Sequence, residues 1–255
     1  MIIYLTSAVK KAGMVSRRYT TAGLFIALAV IWGSSFVATR VALSGFTPIL
    51  LAALRFDIAA LIMTSYAAAT TSRWIPTTHR EWSTVIIGGV LFIAVHHAFL
   101  FAGQQYVTSA VAAVVICLDP ILAAVFGRVL LPEERLSRIG ILGLGFGVLG
   151  VSIIAGLSPD VLRGTETIGV ILVFVAAAAF AFGAVITRRR RTDLSVQAMQ
   201  AWMMVIGAVV LHGIAFLSPK ETIATLTWSW SALVGLVYLA VIAAGVGYFL
   251  YFELL

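Results

Sequence analysis

In a chain of 255 residues with only ten carboxylate side chains and four histidines, Asp119, His96 and His97 stand out because they fall deep inside long uncharged stretches. The segment Val107-Thr108-Ser109 reads as a very tight connector between two such stretches. Asp119 lies twelve residues beyond Val107 and His97 ten residues before it. Helical rise then puts them about 18 Å and about 15 Å from the turn. If the two stretches are antiparallel neighbours, a carboxylate and an imidazole sit within one turn of the same depth. Histidine titrates near physiological pH, so such a pair can pass protons. Adjacent helical residues diverge by about 100°, so only one histidine of the pair can point at the centre. The alternative roles are structural. Asp119 can bond backbone freed by Pro120, which has no N–H, and the histidines can be packed and satisfied.

Trp32, Ser34 and Ser35 present an aromatic face beside two hydroxyls, suited to a polar solute or, alternatively, to close helix packing. Gln104 and Gln105 can hydrogen-bond a solute or sit in a headgroup zone. The candidate solute-binding set is Trp32, Ser34, Ser35, His97, Gln104 and Asp119, with Asp119, His96 and His97 as the proton-coupling set. Arg40 and Arg55 are expected to snorkel toward lipid phosphates. Arg55 and Asp57, two apart, project to different helix faces. His212 and Glu253 complete the ionisable groups inside apolar runs. Nothing here has the spacing of a metal site or of a nucleophile and its base. The expectation is therefore no enzyme, no metal and no cofactor. No Gly-x-x-x-x-Gly-Lys-Ser/Thr loop is present, so a mechanism without ATP is expected.

These residues are embedded in a chain that is 62% hydrophobic and 11% charged, with mean hydropathy +1.08. A soluble fold of this size cannot hide so much apolar surface, but a bilayer can. A helical span needs about 20 mostly apolar residues, and lipid obliges the backbone to satisfy itself. The pattern predicts an all-α polytopic membrane protein with eight transmembrane helices near 20–42, 47–70, 82–105, 107–130, 138–157, 167–187, 197–217 and 231–253. The first run is too long for a signal peptide and lacks a small-residue cleavage site; Met14 offers an alternative start. Cys117, the single cysteine, is expected to be a small packing residue.

Thirteen of the 17 Lys and Arg fall on alternate connectors: Lys10, Lys11, Arg17 and Arg18; Arg73 and Arg80; Arg128, Arg135 and Arg138; and Arg188–Arg191. The positive-inside rule puts these in the cytosol, with residues 1–19 a cytoplasmic N-terminal segment. The net charge of +7 is thus a topology and lipid-contact signal, and no nucleic-acid partner is expected. Trp74 and Trp82 fall at the inner interface and Trp228 and Trp230 at the outer, as belts or as ordinary packing. Thr39-Arg40 matches Thr187-Arg188, and Phe99-Leu100 matches Phe249-Leu250, at offsets near 150 residues. Five crossings per unit force the second unit to start on the opposite side. That predicts an inverted repeat of five-helix units, the plan of many secondary transporters.

Trp32-Gly33-Ser34-Ser35-Phe36, Leu54-Arg55-Phe56, the mid-span Pro120, Glu134-Arg135-Leu136-Ser137 and the glycines Gly140, Gly143, Gly147 and Gly150 together resemble, in order, the EamA-type transporters of the drug/metabolite transporter superfamily. The resemblance runs from about residue 20 to the end. It implies a 5+5 plan in which residues 20–157 form the first repeat and residues 167–255 a second repeat with three of its five helices. The last two of ten transmembrane helices have no counterpart in the chain, which reads as a fragment, an incomplete gene product or a truncated paralogue.

The function implied is a permease in the cell membrane, exporting small metabolites, amino acids or drug-like molecules by alternating access, with possible coupling to protons. The alternative is a non-transporting membrane subunit or an inactive truncated paralogue. Gly143-x-x-x-Gly147 is expected to allow tight helix contact within the monomer, with a homodimer face as the alternative.

Overall fold

The computed structural model describes residues 2–131, 138–154, 164–190 and 192–254. The Glu134–Ser137 tag, Pro159, Arg163 and Arg191 lie outside these residues. So do the side chains of Lys10, Lys11, Met14, Arg17, Arg18, Arg138 and Glu253. The described residues are helical apart from short connectors. The helices are α1 (Ile2–Ala42), α2 (Pro48–Thr70), α3 (His79–Gly103), α4 (Ser109–Leu130), α5 (Arg138–Ile154), α6 (Thr165–Arg190), α7 (Val196–Leu217) and α8 (Trp230–Tyr251). Seven of them are long and apolar enough to cross a bilayer, counting Thr21–Ala42 of α1. The fifth expected span falls on α5, whose 17 described residues rise about 25 Å. The protein is thus a multi-pass all-α membrane protein.

Each helix start has a local cause. Pro48 occupies the first turn of α2, where its missing N–H costs nothing. Thr47 makes no side-chain cap. The Glu221 carboxylate, from the α7–α8 connector, accepts the Ile49 and Leu50 N–H groups at 3.2 and 3.1 Å instead. α3 begins three residues before the expected 82 because Thr78 and Glu81 form a capping box. Glu81 also accepts from Thr77 N–H and pairs with Arg73. Ser195 caps α7 through the Ala198 N–H.

α2 and α7 pack against each other along their length, as do α3 and α6. Small residues are frequent among the buried positions of the first pair: Ala52, Ala53, Ala59, Ala60 and Ala67 on α2, and Ala198, Ala201, Ala208 and Ala215 on α7. Lipid tails are as apolar as leucine, so helices associate through close packing, and small residues permit it. Around this pair, α3 packs on α6 and α7, while α8 packs on α1 and α2. Two wide, π-helical stretches, Gly89–Val95 in α3 and Tyr238–Val246 in α8, lie about 150 residues apart. Reading every helix at 3.6 residues per turn misses both. Such bulges take one extra residue per turn and are frequent at functional sites.

Several sequence expectations change here. α4 does not pack along α3; its main contacts are with α6 and α1. Val107–Ser109 is tight as expected, yet its helices diverge. α4 itself breaks at Cys117–Leu118, where Pro120 withdraws a donor from the helical ladder. Cys117 is exposed at this break and is not a packing residue. Gly147 does meet α4, since a Cβ there would lie 2.7 Å from Ile121 Cδ1, but Gly143 faces open space. Trp74 and Trp82 form a cluster with Trp202, whose Nε1 donates to the Trp74 carbonyl at 2.9 Å, whereas Trp228 and Trp230 are exposed.

The α3–α7 contact depends on absent side chains. A Cβ on Gly207 would lie 2.4 Å from Ile93 Cβ and 3.1 Å from the Gly89 carbonyl oxygen. Gly207→Val should therefore lower stability by about 1–3 kcal/mol, as overpacking does. Gly213→Val, on the same helix but with nothing within 4 Å, should shift stability by no more than about 0.5 kcal/mol. Thermal unfolding of the detergent-solubilised variants measures both.

Candidate functional site

Most polar side chains within the helices are accounted for by nearby carbonyls. Ser34 Oγ contacts the Val30 and Ile31 carbonyl oxygens and lies 2.6 Å from the Tyr238 hydroxyl. Ser35 Oγ donates to the Trp32 carbonyl at 2.6 Å, and Thr39 Oγ1 to Ser35 at 2.8 Å. Trp32 Nε1 donates to the Ala243 carbonyl of α8 at 3.2 Å, and its ring meets Tyr248 and Tyr251 at 5.7 and 5.6 Å. Gln104 is fully buried; its Nε2 donates to the Phe36 carbonyl at 3.1 Å, which Ser109 Oγ also reaches at 3.0 Å. Gln105 is exposed at the end of α3. Arg40 donates to the Gln104 backbone carbonyl. Trp32 and Ser34 therefore tie α1 to α8, Gln104 ties α3 to α1, Ser35 bonds within its own helix, and Trp32 borders, through the two tyrosines, on open space.

That open space is an open-sided cavity of about 600 Å³ bordered by α3, α4, α6, α7 and α8. Gln200, Met203, Tyr248 and Tyr251 line it, with Pro120 on the α4 wall, and it reaches Thr187 and Arg188 at the basic end of α6. Gln200 Nε2 is buried without a hydrogen-bond partner. A mostly apolar cavity with a few convergent polar groups is the usual form of a small-molecule site. Sequence reading overlooked Gln200, Tyr248 and Tyr251. A glutamine within the largely apolar α7, which also carries Gln197 and His212, and two tyrosines about one turn apart in α8 were the available signals.

Asp119 opens the second half of α4, beside Pro120. Its Oδ1 is buried with no hydrogen-bond partner, so it does not cap the broken helix through that atom. No hydrogen bond joins it to either histidine. His96 Nδ1 is 2.9 Å from the Ala176 carbonyl oxygen of α6, and His97 Nδ1 is 3.0 Å from that of Ile93. Both histidines are buried and in mutual ring contact at 4.6 Å. The expected side-by-side packing of α3 and α4 is not found, since α4 packs mainly on α6 and α1.

Arg55 does not snorkel. It is 6% exposed. Its guanidinium carbon lies 5.0 Å from the Phe56 ring centre and 5.8 Å from that of Phe101. His97 packs edge-on against the same two rings, at 4.5 and 5.7 Å. Tyr248 is within electrostatic range of both Arg55 and Asp119. The ionisable groups therefore converge on Tyr248, at the wall of the cavity. Asp57 points elsewhere and meets His212 at 2.8 Å on an exposed face. Among the described residues no group of three His, Cys, Asp or Glu is placed to hold a metal ion.

The profile of the EamA-like transporter family matches residues 20–156 and again residues 167–255. The uncharacterized transporter YvbV of Bacillus subtilis (strain 168) is 24% identical over 241 residues, which is 92% of this chain and 74% of that protein. An uncharacterized transporter of Archaeoglobus fulgidus is 27% identical over 227 residues, 88% of this chain and 77% of that protein. The uncharacterized inner membrane transporter YedA of Escherichia coli (strain K12) is 26% identical over 190 residues, 74% and 60% respectively. One solved crystal structure superposes with a TM-score of 0.68 at 20% identity, over 91% of this chain and 78% of that one, and so shares the fold.

If the cavity is water-filled, its walls react with water-soluble reagents. In a Cys117→Ser background, Gln200→Cys should be modified by a charged, membrane-impermeant thiol reagent applied from the side that carries Arg188. Leu211→Cys, at a fully buried position of α7, should stay unmodified under the same conditions. Mass spectrometry of the labelled protein reads the difference.

Proposed function

From membership of the EamA-like transporter family, to which this chain belongs, we propose that the protein exports small metabolites, amino acids or drug-like solutes across the cell membrane by alternating access. That it is a multi-pass membrane transporter, and not an enzyme, is what the family and the relatives' names indicate. The observation that carries the finer reading is the cavity at the meeting of α3, α6, α7 and α8, with Tyr248 on its wall and the partnerless Asp119 Oδ1 within electrostatic range of it.

Two inverted units, 20–157 and 167–255, would rock about α2 and α7. In support, the family profile matches twice, and the outer pairs α1–α8 and α3–α6 flank the central pair in a balanced arrangement. The basic ends of the helices would lie in the cytosol by the positive-inside rule. A cavity that reaches Arg188 then loads from the inside, which favours export. Proton coupling would fall to Asp119, acting with His96 and His97 through Tyr248 and Arg55 and not by direct contact. An ionisable group held at membrane depth without a partner is by default a functional group.

Reconstitution into liposomes tests this. A panel of radiolabelled amino acids and organic acids should include solutes that exchange across the membrane and that accumulate under a pH gradient. Asp119→Asn should lower gradient-driven accumulation at least about tenfold, as loss of a proton-transfer group does, and leave exchange in place. Undiminished accumulation removes Asp119 from the coupling. Solute binding without any flux favours a non-transporting subunit.

A further inference from the structure

We propose that Arg55 anchors the carboxylate of a small monoanionic ligand whose apolar body rests against the surrounding aromatic rings. The proposal rests on the transporter reading and names its solute class: Arg55 lies behind the cavity wall, within electrostatic range of Tyr248, which lines it. It starts from a missing partner. Arg55 is a buried cation in the middle of a helix bundle, and no carboxylate pairs with it among the described residues. Its Nε is enclosed and makes no hydrogen bond. The groups that face it are Phe56 and Phe101, the imidazoles of His96 and His97, and the Tyr248 hydroxyl. Both imidazole Nδ1 atoms are engaged with backbone carbonyls. Ring faces attract a guanidinium, but they do not neutralise it or satisfy its five donors.

A lone buried charge is among the costliest features a fold can keep. Positions that carry such a cost in a membrane bundle are characteristically functional. Guanidinium is suited to bind a carboxylate in two parallel hydrogen bonds. The charge count selects the ligand further. One buried cation balances one negative charge, whereas a phosphate monoester would bring nearly two. The neighbouring rings, together with Trp32 behind Tyr248, favour an apolar or aromatic body on the acid.

The test measures binding without transport. Purified, detergent-solubilised protein is heated with acetate, phenylacetate or indole-3-acetate, and in parallel with phenylacetamide and phenyl phosphate. Phenylacetate or indole-3-acetate should raise the unfolding temperature in a saturable way, and the amide and the phosphate should not. Arg55→Gln should unfold at the same or a higher temperature than the parent without ligand, because a cost has been removed, and should bind the carboxylate at least about tenfold more weakly. Arg55→Lys should retain part of the response. Equal effects of carboxylate and amide, unaltered carboxylate binding by Arg55→Gln, or no response to any of the three acids overturns the proposal. Loss of carboxylate discrimination with flux of neutral solutes intact defeats this inference and leaves the transporter reading. Selective carboxylate binding without flux does the reverse.

Discussion

Within a bilayer every peptide group must be bonded inside the protein, and helices gain nothing from merely hiding apolar surface from one another. Close packing has to hold them, which explains why α2 and α7 meet along rows of alanine and why Gly89 and Gly207 stand where α3 approaches α7. The rest of the bundle is arranged around this central contact. α3 and α8 lean on it from either side, each with a π-helical stretch at mid-length. The cavity is the space left where α4 breaks at Cys117–Leu118 and the walls of α6, α7 and α8 do not close.

The same constraint sorts the polar side chains into two groups. Hydroxyls and ring nitrogens that serve structure find a carbonyl: Ser35 and Thr39 one turn back on their own helix, Trp32, Gln104 and Trp202 on another element. A small remainder finds none. Arg55 Nε, Asp119 Oδ1 and Gln200 Nε2 are buried and partnerless, and they belong to or border the same side of the bundle as Tyr248. Thr47, Thr64 and Gln104 also leave one buried oxygen each unpaired, but Arg55, Asp119 and Gln200 are the ones that line the cavity or face Tyr248 on its wall. The sorting exchanges roles that residue type alone suggests. Ser34 and Gln104 become helix ties, Ser35 bonds its own helix, and Arg55, which chemistry alone would send to the headgroups, becomes part of the interior.

The spans were legible because hydropathy and bilayer thickness are one-dimensional constraints. The expected 47–70 and 197–217 fall within a residue of α2 and α7. The family was legible from short tags in order, whose residues now have visible work: Trp32 bonds α8, and Pro120 breaks α4. What sequence did not reveal was lateral arrangement. A tight turn at Val107–Ser109 suggested that α3 and α4 are partners, but chain continuity brings only their ends together, and α6 offers α4 the better surface. The π-helical stretches were hidden because their residues are as apolar as the α-helical ones around them. Arg55 was misplaced because snorkelling is judged by depth, whereas its fate was set by the aromatic rings of Phe56 and Phe101, one of them forty-odd residues away in the chain.

Whether this cavity is the path of the solute is decided most directly by closing it. Ala124 of α4 and Met199 of α7 both line it. Cysteines at these two positions, in a Cys117→Ser background, can be joined by cleavable bifunctional thiol reagents of increasing length. Joining them should arrest solute flux in proteoliposomes, and reduction of the link should restore it. Flux that continues unchanged through a fully cross-linked protein would show that the solute passes elsewhere.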